Sequence, residues 1–376
     1  LVPARNSYDP PAHHDCIVVG GGLLGLATAW SLSSRGHEVL VLEKEEPGHA
    51  LAGSKGKARI FRLSYPDPFY VRLAQEALGL WRVLEDDTGR SLLHRRTLVN
   101  FGPGLDALAD ALASEGSPFT ALTPGETTSH FPQLAITTDA IAEDTGGVLA
   151  ADNCLAALRQ AGSFEVAAQR RVHKVTDGRH SASVILEDGA VLSADMVVIC
   201  AGPHTLSLFS HDRVPNAAPP SLQQVVYLEA LQPDTPIPLF IEWGDDTVYG
   251  LPVVDQPLLK LSHHQPGSPE PADGSDLSDD PELLALLHDA AVRLLPTFSP
   301  EPVASERCYY DNTRDSDFIL DRRGHIVVGC GTSGHGFKFG PILGELLADV
   351  ATGSTPPHDL SRFAMDRSFL RLVPNP

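Results

Sequence analysis

Two groups of residues carry chemistry by type and spacing alone. Gly20, Gly22 and Gly25 stand in the run Asp15-Cys16-Ile17-Val18-Val19-Gly20-Gly21-Gly22-Leu23-Leu24-Gly25, a G-x-G-x-x-G spacing that ends an apolar strand and opens a helix. The first glycine permits a tight turn, the second lets backbone approach a pyrophosphate, and the third lets helix pack on strand. A helix over 26–35 then aims its N-terminal amides at the phosphates. Glu43 closes the next apolar run, Val39-Leu40-Val41-Leu42. That is roughly 20 residues on, where a carboxylate can accept both ribose hydroxyls of an ADP moiety. The second group is Arg59 and Arg62, three apart and so on one face of a helix. Guanidinium matches carboxylate in a two-pronged geometry. In a chain of formal net charge −20, the pair reads as an anion clamp rather than a solvated basic patch.

These residues need a scaffold, and 376 residues suffice for two domains. The acidic balance argues against nucleic acid or anionic membranes as partners. Apolar runs such as 196–201 fall far short of a membrane span. No basic region precedes an apolar one near the first residue, and 1–14 reads as a flexible leader. Five cysteines, none in a C-x-x-C pair, suit a reducing cytoplasm and default to small buried apolar residues. No Walker A loop, zinc spacing, G-x-S-x-G or internal repeat is present.

The remaining pattern supplies the elements. A small-residue loop at 47–57 falls across the cofactor. Helical periodicity covers 69–84, with Trp81 on the core side, then 105–115, 124–131 and 282–295. A helix ending near Gln160 has Asp152 as its expected N-cap. Strand patterns cover 98–101 and 166–175. A hairpin turns at Glu187-Asp188-Gly189, and the buried run 195–200 delivers Ala201 and Gly202 towards the cofactor. Runs at 222–231, 239–243, 248–251 and 258–262 predict an antiparallel sheet, and 265–281 a loop. After paired strands at 318–320 and 326–328, a glycine-rich turn at 329–340 leads into a helix over 341–351 opened by proline.

The glycine unit, Ala58-Arg59-Ile60-Phe61-Arg62, Leu259-Lys260-Leu261, Cys308-Tyr309-Tyr310-Asp311-Asn312-Thr313 and Ser333-Gly334-His335-Gly336-Phe337-Lys338 together resemble the monomeric sarcosine oxidase and N-methyltryptophan oxidase family of FAD-dependent amine oxidases. The resemblance runs from Asp15 to the C-terminal helix, and the last two motifs are the most specific. It implies a thioether from Cys308 to the flavin, which chemically needs a thiolate beside an electrophilic methyl carbon. It implies that Arg62 and Lys338 hold the substrate carboxylate, that Arg59 lies near the flavin ring, and that Lys260 serves oxygen. A fixed cation there would stabilise charge as it develops. Tyr249, His264 and Tyr310 match substrate-cavity positions. Leu24, Lys44, Ser54, Val172, Ala201, Gly202, Gly334 and Gly336 join Gly20, Gly22, Gly25 and Glu43 as cofactor contacts. Lys55 departs from the family, whose sarcosine oxidases carry histidine there, and the stretch with Phe240 and Trp243 also differs. Both put sarcosine itself in question as substrate.

The expected fold is α/β: a Rossmann-like FAD-binding domain of the glutathione-reductase type, discontinuous over 15–93, 151–211 and 312–376. An α+β substrate domain over 94–150 and 212–311 is built on an antiparallel sheet. The expected reaction is oxidation of a secondary or cyclic amino acid by a monomeric enzyme, with O2 reduced to hydrogen peroxide and no metal. A dehydrogenase feeding a partner protein, a biosynthetic imino acid oxidase, a nicotinamide enzyme and a flavin-containing scaffold are the alternatives.

Overall fold

Period-two and unbroken apolar runs set the strands, and the two kinds build different sheets. A computed structural model describes residues 13–46, 52–208, 214–232, 236–274 and 277–368. In the first sheet strand His13–Val19, apolar and buried from Cys16 on, lies in parallel between Val191–Ile199 and Val39–Leu42, with Glu165–Ala167 beyond. Such strands are buried on both faces, as parallel sheets require. Val191–Ile199 divides its far edge: its first half pairs antiparallel with Ala182–Leu186, its second half in parallel with Ile326–Cys330. Val172–Asp177 and Ile319–Arg323 complete the sheet.

The second sheet has eight strands in the order Ala304–Tyr310, Ser221–Glu229, Leu258–His263, Val248–Pro252, Leu239–Glu242, Leu98–Phe101, Ala140–Glu143 and Thr120–Leu122. Every pairing is antiparallel except Leu98–Phe101 with Leu239–Glu242, which run in parallel. A purely antiparallel sheet was expected. The chain between those two strands is long enough to make the crossover that a parallel pair demands. A third sheet joins Arg59–Phe61, Gly147–Leu149 and Leu93–Arg95.

Helix Leu23–Ser34 is buried almost throughout and packs on Gly340–Thr352. The approach is close enough that a Cβ at Gly344 would meet the Ala27 backbone at 2.5 Å. Helix Pro68–Thr88 starts with Asp67 accepting from the Phe69 amide at 2.9 Å and ends at Gly89 with φ 68°. Its Trp81 is buried and stacks on Phe337 at 6.3 Å. Full burial of a large apolar side chain contributes about 1.5–3 kcal/mol, so this row ties the helix to the glycine-rich turn.

Four local expectations change. Strand His13–Val19 takes in His13 and His14 of the expected leader, because both pair with the Ser193-Ala194 stretch; residues 1–12 lie outside the described residues. Arg59–Phe61 is a strand, so Arg59 and Arg62 do not share a helical face. Pairing with Gly147–Leu149 overrides their helical spacing. Asp152 sits in the first turn of helix Ala151–Ala161, whose N-cap is Ala150. Residues 166–175 are two strands, parted before Val172. Of the loop at 47–57, residues 47–51 lie outside the described residues. No described helix is long and apolar enough to cross a membrane.

Candidate active site

One cleft runs between the first two sheets, from the Gly20 turn to Lys260 and Cys308. Its first end is made mostly of backbone. Gly20 adopts φ +108°, and a Cβ there would lie 2.3 Å from the Cys200 carbonyl oxygen. A Cβ at Gly25 would lie 1.9 Å from the Gly20 carbonyl oxygen. Neither position tolerates a side chain: Gly20 is fixed by torsion and by space, Gly25 by space alone. The Glu43 carboxylate accepts from the Gly21 amide at 2.7 Å and the Glu45 amide at 3.0 Å, which anchors it beside the turn. Ser54 Oγ accepts from the Leu23 amide at 3.0 Å, tying the 52–57 loop to the helix N-terminus. Leu24, Val172, Ala201 and Gly202 line the same stretch.

Cations ring this end. Lys44 Nζ lies 2.7 Å from His204 Nε2, and Asp273 reaches in from the loop of the second sheet. Its carboxylate stands 3.8 Å from Lys44, 3.5 Å from Arg171 and 3.6 Å from His204 Nδ1. Burial and the charge of Arg171 hold Lys44 below the usual lysine range.

The other end is made of side chains from distant segments. Lys260, in strand Leu258–His263, is buried and donates to the Ala58 carbonyl at 3.5 Å. Burial, then the Arg59 charge, push its pKa down to about 7. Strand Ala304–Tyr310 brings half-buried Cys308 and Tyr310 into the cleft, and strand Val248–Pro252 brings Tyr249. The phenols of Tyr249 and Tyr310 lie close enough to act on each other. The His264 ring lies 6.5 Å from Tyr249 and 6.2 Å from Tyr310. Burial raises both phenols above the ordinary range, keeping them neutral donors. Arg59 donates to the Gly53 carbonyl at 3.0 Å and the Lys55 carbonyl at 2.5 Å, with its guanidinium 5.5 Å from the Phe337 ring centre. It therefore pins the loop beside the cleft.

Arg62 and Lys338 meet at Tyr65. The Arg62 guanidinium lies 3.9 Å over the Tyr65 ring and 5.0 Å from that of Trp243, and donates to the Ser64 carbonyl. Lys338 Nζ donates to Tyr65 Oη at 2.9 Å and to the His335 carbonyl at 2.8 Å. Both cations are buried, at 4% and 3% exposure. Burial, followed by the charge of Arg62, drives Lys338 well below the lysine range. Glu143 lies behind Arg62, and its carboxylate accepts from the Leu63 amide at 2.7 Å and the Ser64 amide at 3.0 Å. The Trp243 indole is fixed by donating to Asn100 Oδ1 at 3.1 Å. Phe240, its partner in the divergent stretch, packs instead in the core of the second sheet.

The cleft thus gathers Gly20, Gly22, Leu24, Glu43, Lys44, Ser54, Arg59, Arg62, Val172, Ala201, Gly202, Tyr249, Lys260, His264, Cys308, Tyr310, Gly334, Gly336 and Lys338. Gly25 packs beneath it, and Lys55 is not in its wall; the Lys55 carbonyl serves Arg59 instead. Tyr65, His335, Glu143 and Asp311 were missed. Asp311 accepts from the Gly331 amide at 2.9 Å and from the Thr332 hydroxyl, bracing the glycine-rich turn. Its place inside the Cys308 motif was the available signal.

A family model described as FAD dependent oxidoreductase matches residues 15–350. The chain belongs to the FAD dependent oxidoreductase family. Among its relatives in that family, peroxisomal sarcosine oxidase of Mus musculus is 31% identical, over 94% of this chain and 96% of that protein. Monomeric sarcosine oxidase of Bacillus sp. (strain B-0618) is 28% identical over 96% and 97%. Of solved structures, the open form of NikD, an unusual amino acid oxidase essential for nikkomycin biosynthesis, superposes with a TM-score of 0.83 at 25% identity, covering 96% of this chain and 99% of that one. FAD fits the residues present. The Gly20 turn lines the cleft without side chains, the Glu43 carboxylate is anchored beside it, and the cleft continues to the cationic end.

Proposed function

We propose that this FAD-dependent oxidoreductase is an oxidase of amino acids bearing a secondary or cyclic amine, and that it acts as a monomer. The observation that carries the substrate class is the pair of buried cations, Arg62 and Lys338, at the end of the cleft opposite the nucleotide turn. Burying two cationic groups side by side is costly unless an anion completes the site. In this reading the first sheet and its helices form the cofactor unit, over 15–93, 151–211 and 312–376. The second sheet forms the substrate unit, over 94–150 and 212–311.

Bound FAD supplies a two-electron acceptor for the C–N oxidation and passes the electrons on to O2. Gly20, Gly22 and the Leu23–Ser34 helix N-terminus would hold its pyrophosphate, Glu43 its ribose, and Cys308 its ring through a thioether. The amide end of Gly340–Thr352 opens on the cleft and would favour negative charge on a ring held there. Arg62 and Lys338 receive the substrate carboxylate, and this fixes the amine relative to the ring. Tyr249, His264 and Tyr310 line the amine's side of the pocket, where the neutral phenols can hydrogen-bond the amine and the imidazole can take its proton. Trp243 and Ile241 exclude water and limit the side chain. Lys260 places its amino group, whose charge is full only below about pH 7, where oxygen is reduced. The named activities of the relatives, on sarcosine and on N-methyl-L-tryptophan, support this class.

Screening N-methyl and cyclic amino acids for peroxide release tests the reading. At least one should bleach the yellow enzyme anaerobically and yield peroxide in air. Arg62→Ala should raise KM by roughly 30–1000-fold, the loss of a charge-assisted pair of about 2–4 kcal/mol. Unchanged kinetics in that variant would remove the clamp.

A further inference from the structure

The hydrogen bonds behind the clamp have only one consistent direction. His335 Nε2 lies 2.9 Å from the Ser316 carbonyl oxygen, which can only accept, so Nε2 carries the proton. In a neutral imidazole Nδ1 is then an acceptor, and Tyr65 Oη, 3.3 Å away, donates to it. Tyr65 Oη in turn accepts from Lys338 Nζ. The chain of donors runs from Lys338 through Tyr65 and His335 to a backbone carbonyl. It ends on neutral groups and supplies no counter-charge. The His335 ring is sandwiched in the core, stacked on Phe318 at 4.8 Å, and is buried.

The charges around Lys338 can be counted. From the segment after Arg59–Phe61 come Arg62, a fixed cation, and Tyr65. Its own turn gives His335, on which His264, just past strand Leu258–His263, acts in turn. One carboxylate, Glu143, lies close enough to act on Arg62, and its oxygens are already taken by two backbone amides and the Thr145 hydroxyl. Among the described residues no carboxylate pairs with Lys338, whose Nζ has only Tyr65 Oη and the His335 carbonyl. The aromatic faces of Tyr65 and Phe339, at 5.4 and 5.2 Å, can support a cation but do not neutralise one. Glu143 answers Arg62, and the second cation has no partner until an anion arrives.

We propose that Lys338 gains its proton from solvent together with the substrate carboxylate, so that anion binding at the clamp is coupled to net proton uptake, with Tyr65 as the positioning residue that receives the Lys338 hydrogen bond. The inference rests on the carboxylate-clamp reading above. The depressed pKa of Lys338, caused first by burial and then by Arg62, has the sign this requires. By linkage, affinity for a carboxylate falls as pH rises between the free and the occupied pKa of Lys338, by about tenfold per pH unit. A zwitterionic amino acid must also shed its amine proton to react, so its binding is close to proton-neutral, whereas an acid without an amine draws about one proton per site.

The test uses the FAD-loaded enzyme with acetate and cyclopentanecarboxylate, neither of which carries an amine. Binding is read from the visible spectrum. Proton uptake is read by calorimetry in buffers of different ionisation enthalpy, from about pH 7 to 9. Binding with uptake approaching one proton is the expected result. Binding without uptake overturns the proposal and leaves the clamp intact; failure of both acids to bind overturns the clamp. Lys338→Met should bind more weakly and abolish uptake, and uptake that persists in it refutes the assignment to Lys338. Tyr65→Phe keeps the ring under Arg62 but removes the oxygen that accepts from Lys338. It should move the pH profile of binding towards lower pH, and an unmoved profile removes Tyr65 from the role.

Discussion

The two ends of the cleft solve their binding problems with different materials. At the nucleotide end the contacts come from main chain: a turn without side chains, a helix N-terminus, and a carboxylate held by two amides. At the amino acid end they come from side chains of segments up to 273 residues apart, as in the Tyr65–Lys338 hydrogen bond. A backbone site is rigid because the fold is rigid, and one local unit of chain specifies it. A side-chain site has to be held by neighbours, here by aromatic faces and carbonyls around buried cations. The first kind can be destroyed by one added methyl group; the second is adjusted one group at a time.

Gly25→Val should break the nucleotide end outright. Its Cβ would have to occupy space 1.9 Å from the Gly20 carbonyl, so the turn and the helix cannot both keep their places. Absence of folded, yellow protein on expression is the expected result, and normal FAD content would contradict the backbone account. Lys260→Met should act in the graded manner of the other end. Mixing the reduced variant with oxygen should show reoxidation slowed by roughly 100–1000-fold. The same variant should melt at higher temperature, because a buried lysine whose pKa is pushed down to about 7 opposes folding. The sign follows from linkage. The unfolded chain binds the extra proton between the two pKa values, so the wild-type penalty is full below about pH 7 and fades as pH rises towards 10. A gain in melting temperature that does not shrink with pH would count against Lys260 as its source. Cys308→Ser should have the smallest effect. The pocket stays built, but the flavin colour should leave with the supernatant on acid precipitation, whereas the proposed thioether should keep it in the wild-type pellet.

The same contrast governs how much could be read in advance. The Gly20 turn, its flanking strands and Glu43 were legible because each depends on residues within one short unit. Lys260, Cys308 and Lys338 were legible through resemblance, and the cleft brings them together. Arg59 and Arg62 were placed on a helix because their spacing allows it. The pairing that makes Arg59–Phe61 a strand comes from Gly147–Leu149, far along the chain. Tyr65 gave no signal of its own, since a tyrosine earns its role only where two other segments converge on it; for His335 the signal was its place inside the Ser333-to-Lys338 motif. The parallel pairing of Leu98–Phe101 with Leu239–Glu242 was equally invisible, because apolar alternation does not record strand direction.

Gly334 adds a constraint of another kind. At φ +75°, a Cβ there would fall 2.1 Å from the Tyr310 ring. The glycine-rich turn and the cysteine-bearing strand therefore interlock like two teeth of a gear. Neither can drift in sequence independently: a larger residue at 334 would need a smaller one at 310, which would in turn reshape the wall beside Cys308. Variation within this fold should accordingly find these two positions changing as a pair.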